Sequence, residues 1–548
     1  MSRQPPWPLV NSTTHMLLSI SRSLPISCLI GLTLCSCGSP RISNNTIESN
    51  PIHDVLQSAN QLSGVFSNED YIPDEYIPGE YTFQNWRAFK PMSSFASKDL
   101  IIVTLSGGGI RAAALAAATL ETIRRFTKNS RSLSENIIMI SSVSGGSVAA
   151  IFIAKHGFGN YPYFRKIFLE KDNTMSLLDS SLNTKVVNDR SAILQDYLEE
   201  KFALGGITFG DVLEMPDRPF FVFNSTDLAT GQVFRFTQGD FGYLLCSNLS
   251  KVPLSLGAAA SAALPFAFTD VELVNRWNSC NQIPDARLDP TYQSETDKSV
   301  RDAVDVRHQR YMYEFQHAYD DDNSVNQHRR RPKYLHLADG GMVDNLGARA
   351  VESVLSKDQV ARLSHQLSGH NDVAGIHQIL VVEINARAEK PYNSLNANAG
   401  SPSFITTAGI VTSIPIDATS TLSSRDANTA WLYVFGGGEQ TLVQDDMVMK
   451  AQIDFDLLPD DNGDDVNDAD IDNLRNRVKS IGMGFSLKEA DLKALEQASN
   501  KLLEQSACFK RFVEQASFAP PPDFQFSPYL DSNDCLPVKA RFEKVRAE

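Results

Sequence analysis

The residue of this chain best suited to covalent chemistry is Ser144, which lies in Ser142-Val143-Ser144-Gly145-Gly146 after an apolar run. A nucleophile elbow is a sharp turn that exposes one hydroxyl, and it needs small residues two positions before and after the serine. Ser142 and Gly146 meet this need, although glycine is the familiar residue at the first position. The alternative is an ordinary small-residue turn between a strand and a helix.

A carboxylate follows a later apolar run, in the segment Asp339-Gly340-Gly341-Met342-Val343-Asp344-Asn345. The two glycines after Asp339 let another part of the backbone approach closely. Asp339 is therefore a candidate general base for the serine. The alternative is a turn with a helix cap at Asp344 or Asn345.

A third segment, Ser106-Gly107-Gly108-Gly109-Ile110-Arg111, stands between an apolar run and an alanine-rich stretch. Three glycines beside a helix N-terminus leave backbone N–H groups exposed, which suits the binding of negative charge. By itself the segment also fits a cofactor phosphate loop or a plain tight turn. Together the three segments provide a nucleophile, an oxyanion hole and a base.

The residues and the order of these segments resemble those of the patatin-like phospholipases, which are related in mechanism to cytosolic phospholipase A2. That family carries Gly-Gly-Gly-x-Arg, Gly-x-Ser-x-Gly and Asp-Gly-[Gly/Ala] segments, matched here at Gly107–Arg111, Ser142–Gly146 and Asp339–Gly341. Two further segments look similar, Asn224–Gly231 and Ala260–Pro265. The resemblance extends from about Asp99 to Arg387.

The resemblance implies a three-layer α/β/α fold around a mainly parallel sheet, and hydrolysis of (phospho)lipid esters by a Ser144–Asp339 dyad. It implies no cofactor and no metal ion. Gly107, Gly108, Gly109 and Arg111 are its oxyanion-hole residues, with the amides near Gly108 and Gly109 holding the charge. Arg111 alternatively orients the glycine loop or meets a lipid phosphate.

The hydrophobic pattern independently predicts the elements that position these residues. Continuous apolar runs alternate with helix-forming stretches, which indicates a βαβα unit and a parallel sheet. The expected strands are Leu100–Leu105, Asn136–Val143, Pro219–Asn224, Gln232–Thr237, Tyr334–Ala338 and Gln378–Ile384; the expected helices are Arg111–Phe126, Gly146–Lys155 and Leu487–Gln505.

Composition changes divide the chain into four parts. We expect a signal peptide at 1–36, a flexible tether at 37–80, a catalytic domain at 81–390 and a C-terminal extension at 391–548 that packs on it. A polar insertion is expected at about 270–333. Asp454–Asp472 is rich in aspartate but lacks the register of an EF-hand loop, which indicates a solvated acidic loop.

The apolar run Leu24–Leu34 holds eleven residues, whereas a transmembrane helix needs about 20. Its length fits the central region of a secretion signal. Leu34 and Ser36 precede Cys37 as in a bacterial lipoprotein signal; Cys35 fits less well. We therefore expect a lipidated Cys37 and a place in the bacterial cell envelope, as an outer membrane lipoprotein. An ordinary secretion signal or a short anchor is the alternative, and translation starts at Met1 or Met16.

Charge and cysteine content limit the partners. A net charge of −15 argues against nucleic acid and against a basic patch on anionic lipid. Membrane lipid is the expected substrate. Four cysteines remain outside the signal region and suggest the disulfides Cys246–Cys280 and Cys508–Cys535, one of three connectivities, with four free thiols as the alternative.

Two rival functions remain open. An α/β-hydrolase with a Ser-His-Asp triad requires a histidine after the acid, and His365, His370 and His377 come late enough in the chain. His336 lies three residues before Asp339, so on a regular strand it faces the opposite side of the sheet. The other rival is an anchored binding protein on a hydrolase fold that has lost activity.

Overall fold

The computed structural model describes residues 80–90, 94–174, 190–265, 267–276, 332–354, 363, 367, 375–387, 448–459 and 469–535. All of them belong to one compact unit, Pro40–Glu548. The predicted signal, most of the predicted tether, Cys280, His365 and His370 lie outside the described residues, and so does most of the predicted insertion.

The strands are numbered along the chain. They are β1 (Asp99–Leu105), β2 (Thr127–Lys128), β3 (Arg131–Ser132), β4 (Ile137–Ser142), β5 (Phe220–Asp227), β6 (Gln232–Arg235), β7 (Val271–Val274), β8 (Tyr334–Asp339), β9 (Gln378–Asn385) and β10 (Val448–Asp454). Within the described residues, eight of them form one sheet in the order β10-β9-β1-β4-β5-β8-β7, with β6 paired to β5. β2 and β3 form a separate hairpin.

The α-helices are likewise numbered along the chain. They are α1 (Phe83–Phe89), α2 (Gly109–Arg124), α3 (Gly145–His156), α4 (Tyr161–Phe164), α5 (Arg190–Lys201), α6 (Phe209–Leu213), α7 (Gln238–Leu245), α8 (Leu254–Ser261), α9 (Arg349–Val354), α10 (Ala469–Ser480), α11 (Glu489–Glu504) and α12 (Ala507–Gln515).

The centre of the sheet is parallel and covered on both faces. β10, β9, β1, β4 and β5 pair in parallel, and every residue of β1, β4 and β9 is buried. Strands buried on both faces read as continuous apolar runs, which is why the sequence predicts them well. With helices flanking this sheet, the structure confirms the predicted α/β/α fold.

The long strand β5 explains how an aspartate reaches the carboxyl edge of a parallel sheet. Its first half pairs with β4, where Phe223 stands opposite Ser142. Its second half continues past the end of β4 and pairs with the antiparallel strand β8, where Ser225 stands opposite Asp339. The end of β8 therefore lies beside the loop that follows β4.

The C-terminal part of the chain is built into this architecture. Helix α11 packs on α2, where the Ser499 and Thr119 hydroxyls lie 3.0 Å apart. Glu496 accepts hydrogen bonds from Arg165 Nη1 at 2.6 and 2.8 Å. α2 is alanine-rich and almost entirely buried, and its small side chains permit this close packing.

Two predicted boundaries need correction. The predicted insertion at about 270–333 begins too early, because Val271–Val274 forms β7, paired antiparallel to β8. The predicted C-terminal extension contributes more than packing, since β10 joins the sheet beside β9. β10 contains the buried Lys450, whose Nζ lies 2.7 Å from Glu383 Oε2 on β9.

One of the two predicted disulfides is confirmed. Cys508 and Cys535 form a disulfide with an S–S distance of 2.07 Å. Cys246 is also disulfide-bonded; its predicted partner, Cys280, lies outside the described residues, so that pairing stays a prediction. Among the described helices, none combines the length and the apolarity that a membrane span requires.

Candidate active site

Ser144 occupies a strained turn between β4 and α3. Its φ of 50° and ψ of −120° are rarely adopted by a residue with a side chain. The turn is tight because its neighbours touch other backbone segments: a Cβ on Gly145 would lie 1.9 Å from the carbonyl oxygen of Gly109. A Cβ on Gly146 would lie 2.8 Å from atoms of Leu105 and Ser106. These are the contacts expected of a nucleophile elbow.

The Ser144 hydroxyl donates a hydrogen bond to Asp339, with 2.7 Å between Oγ and Oδ2. The other carboxylate oxygen, Oδ1, accepts from the Gly341 amide at 2.8 Å. Burial raises the pKa of Asp339 from 3.8 to about 6, although the hydrogen bonds from Ser144 and Gly341 act in the opposite direction. A carboxylate with this pKa is ionised near neutral pH and is a stronger base than an exposed aspartate.

The backbone around Asp339 is fixed on several sides. Its amide donates to Ala263 O at 3.0 Å, and its carbonyl accepts from the Thr226 hydroxyl at 2.9 Å. The following residue must be glycine, because a Cβ on Gly340 would lie 2.2 Å from Asn224 O. The Asp-Gly-Gly sequence therefore reflects the close approach of β5 as well as the need for a carboxylate.

Hydrogen bonds of buried hydroxyl groups support the turn at Ser144. The Ser144 amide donates to Ser261 Oγ at 3.0 Å, and Ser261 Oγ in turn donates to Asn224 O at 2.7 Å. Ser147 Oγ lies 2.9 Å from Ser261 Oγ and 3.0 Å from Ser142 Oγ. Ser142, where the family pattern has glycine, thus belongs to a hydrogen-bonded serine cluster. Sequence reasoning noted the segments of Asn224 and Ser261 without giving either residue a role.

The glycine loop lies beside Ser144, but its three amides differ. A Cβ on Gly107 would lie 3.2 Å from Ser144 Cβ, and the Gly107 amide donates to Asn345 O at 3.0 Å. Gly108 and Gly109 have φ values of 141° and 63°. In the described part of the chain, no acceptor meets their amides, so these two N–H groups remain available for a negative charge.

Arg111 is buried, and its guanidinium binds backbone carbonyls. Its Nε donates to Ala386 O at 2.9 Å, and its Nη1 donates to Ile481 O. These contacts fit the predicted alternative in which Arg111 orients the glycine loop. They join the start of α2 to two segments from later in the chain.

A cavity of about 280 Å³ opens beside the two catalytic candidates. Its polar groups come from the glycine loop, Ser144, Asp339 and Asn345, while the rest of its lining is mainly apolar. That combination is typical of a site that binds an apolar ligand and orients it with a few polar groups. The apolar lining includes Phe168, Leu194, Tyr197, Leu198, Phe268 and Phe485, none of which the sequence motifs indicated.

The three histidines among the described residues contact groups outside the serine–aspartate pair. His336 Nδ1 lies 2.6 Å from Asp270 Oδ2. His377 precedes β9 at its amino end, the end of the parallel sheet remote from Ser144, and its Nδ1 lies 4.0 Å from Asp99 Oδ1. His156 Nε2 lies 2.9 Å from Phe202 O. The described residues also contain no group of three or more His, Cys, Asp or Glu side chains that could hold a metal ion.

Comparisons with known proteins found one matching family model and a similar solved structure. The family model for patatin-like phospholipase matches residues 103–351. A solved structure of human GIVD cytosolic phospholipase A2 is similar at 10% identity and a TM-score of 0.39, covering 79% of this chain and 63% of that one. The chain thus spans less than two thirds of that relative's length. No curated protein matches the chain.

Proposed function

For this chain, which carries a patatin-like phospholipase domain at residues 103–351, we propose a lipid acyl hydrolase with a Ser144–Asp339 dyad. The observation that carries the proposal is the 2.7 Å hydrogen bond from the strained Ser144 hydroxyl to the buried Asp339 carboxylate. A glycine loop with two available amides and an apolar cavity lie beside this pair. They supply the remaining parts of an acyl-transfer site.

In the proposed reaction, Ser144 Oγ attacks the carbonyl carbon of a lipid ester while Asp339 takes the hydroxyl proton. The amides of Gly108 and Gly109 stabilise the oxyanion of the tetrahedral intermediate. The intermediate collapses to an acyl-serine, and the alcohol leaves with the proton from Asp339. Asp339 then takes a proton from water, whose oxygen attacks the acyl-serine, and gives this proton to Ser144 Oγ as the fatty acid is released.

The test uses a fluorophosphonate probe and lipid-release analysis with wild type, Ser144→Ala, Asp339→Ala and His336→Ala. We expect labelling and release of fatty acid by wild type, and loss of both with Ser144→Ala. Asp339→Ala should lose hydrolysis while it remains folded. His336→Ala should keep most of the activity, because its ring contacts Asp270. A His336→Ala variant that is folded but inactive would show that the site uses a triad and not a dyad. An inactive wild type would favour the binding-protein alternative.

We also propose that Cys37 is lipidated and anchors the protein in the bacterial cell envelope. The support is the apolar run Leu24–Leu34, followed by Ser36 and Cys37. Lipidation would be enough to hold the protein at a membrane, because two acyl chains suffice for stable anchoring. Mass spectrometry of the mature N-terminus in a bacterial host tests this. A mature chain with an unmodified Cys37, or one that retains the signal segment, would contradict it.

A further inference from the structure

One wall of the active-site cavity comes from a part of the chain far beyond the family match at 103–351. Met483, Gly484 and Phe485 line the same cavity as Ser144 and Asp339. They lie in the loop between α10 and α11, which we call the 481–485 segment. Nothing in the three catalytic motifs requires this loop to reach the site.

The 481–485 segment is held against the glycine loop by backbone contacts. The Ile110 amide donates to Gly484 O at 3.1 Å, and the Arg111 guanidinium donates to Ile481 O. The fit is close, since a Cβ on Gly109 would lie 2.9 Å from Gly484 O. The segment therefore helps to fix the loop whose Gly108 and Gly109 amides remain available.

The other end of the segment is held by a buried side chain. Phe485 O accepts from the Asn173 amide at 3.2 Å and from Asn173 Nδ2 at 3.0 Å. Asn173 Oδ1 accepts from the Tyr197 hydroxyl at 2.5 Å. Tyr197 itself lines the cavity, so the segment and helix α5 are tied together around it.

The Phe485 side chain packs against Phe268. Its ring and that of Phe268 are 5.8 Å apart in an edge-to-face arrangement, and both residues line the cavity. Met483 is 38% exposed, which places part of this cavity-lining side chain in solvent. A pair of aromatic rings that lines an apolar cavity limits the length or bulk of the group that fits there.

We infer that the 481–485 segment determines which acyl chains the site accepts, with Phe485 as the main specificity-determining residue. This inference rests on the proposed hydrolase function. Removing the ring opens the cavity beside Phe268 and favours longer acyl chains. A larger ring at the same position narrows the cavity and favours shorter ones.

The experiment measures kcat/KM for p-nitrophenyl esters from butyrate to palmitate with the full mature chain. Phe485→Ala should raise the palmitate-to-butyrate ratio of kcat/KM by about tenfold, and Phe485→Trp should lower it, since one methylene in an apolar pocket changes selectivity about 10- to 200-fold. Met483→Ala should shift the ratio in the same direction as Phe485→Ala, but less.

Phe526→Ala is the matched control. Like Phe485, Phe526 is a partly buried phenylalanine in the C-terminal part of the chain, but its ring packs on Phe126 and Phe509 and does not line the cavity. Its ratio should equal that of wild type. A Phe485 variant that is misfolded by circular dichroism is replaced by Phe485→Leu.

An unchanged ratio in folded Phe485 variants, or an equal change in Phe526→Ala, overturns the inference and leaves the hydrolase proposal standing. A wild-type chain that hydrolyses no ester and takes up no fluorophosphonate overturns the hydrolase proposal, and the inference falls with it.

Discussion

The buried carboxylate of Asp339 should lower the stability of the fold at neutral pH, and this can be measured with Asp339→Asn. Burial raises the pKa of Asp339 from 3.8 to about 6. A difference of about two pKa units corresponds to about 3 kcal/mol. The folded state holds the proton more tightly than the unfolded state, so the free energy of unfolding falls as the pH rises from about 4 to about 6. Above about pH 6, the folded protein carries the full free-energy cost of burying the charged Asp339 carboxylate.

The amide side chain introduced by Asp339→Asn has nearly the same shape as the carboxylate but no charge to bury, and its oxygen could still accept from the Gly341 amide. We therefore expect Asp339→Asn to be inactive yet more stable than wild type at pH 8, by about 3 kcal/mol. The stability difference should shrink towards pH 4, where Asp339 is neutral in wild type. Urea denaturation at pH 8, 6 and 4 measures this difference.

The control is Asp534→Asn, because Asp534 is exposed and a surface substitution usually changes stability by about 0.5 kcal/mol or less. Two results would refute the reasoning about Asp339. One is an asparagine variant that is no more stable than wild type at pH 8. The other is a stability difference that is the same at pH 4 and pH 8.

Three other properties of the site and the fold can be checked directly. If Asp339 is the base, kcat/KM for ester hydrolysis should rise with pH to a plateau, with a midpoint near its pKa of about 6; a profile flat from pH 5 to 8 would exclude this role. Gly340→Ala should abolish hydrolysis and lower the urea midpoint, because its Cβ would lie 2.2 Å from Asn224 O; an active, fully stable variant would show that the strands separate easily. Cys508→Ser should lower stability by about 3–4 kcal/mol, since the disulfide to Cys535 spans 27 residues; wild type treated with reductant should lose at least as much, because Cys246 is disulfide-bonded as well.

The sequence predicts the parallel half of the sheet well because burial on both faces leaves a direct signature. The predicted strands Leu100–Leu105 and Gln378–Ile384 form β1 (Asp99–Leu105) and β9 (Gln378–Asn385). The signature fails for β10, where Lys450 and Gln452 interrupt the apolar pattern. Both side chains interact with Glu383 on β9, and such pairing depends on a distant strand that local sequence does not show.

The proposed catalytic pair can be picked out from the sequence because its constraints are local. A small-residue elbow at Ser144 and an aspartate followed by glycines are both visible in short segments. The difference between the Gly107 amide and the two amides that follow it could not be predicted. The Gly107 amide donates to Asn345 O, and Asn345 is far away in sequence. The cavity walls, including Phe485, likewise depend on tertiary packing that no motif encodes.

Ser142 shows how a departure from the family pattern can be accommodated. The family pattern has glycine there, and a serine brings a hydroxyl into a fully buried position. A buried hydroxyl needs a hydrogen-bond partner, and Ser142 Oγ has Ser147 Oγ at 3.0 Å and Val222 O at 3.3 Å. Ser147 also contacts Ser261, whose hydroxyl oxygen accepts from the Ser144 amide. The serine at this position thus extends the support of the elbow.

The proposed dyad gives a physical reason why a histidine is dispensable at this site. A free aspartate is a weak base, with a pKa near 3.9, whereas an ordinary histidine has a pKa near 6.5. Burial raises the pKa of Asp339 to about 6, which brings the carboxylate close to the basicity of an imidazole. The same burial destabilises the folded protein, so the carboxylate must be held firmly. Hydrogen bonds hold Asp339 in place. Its carboxylate accepts from the Gly341 amide, its carbonyl accepts from the Thr226 hydroxyl, and its amide donates to Ala263 O. In this interpretation, part of the folding energy of the antiparallel β5–β8 pair maintains the basicity of the catalytic group.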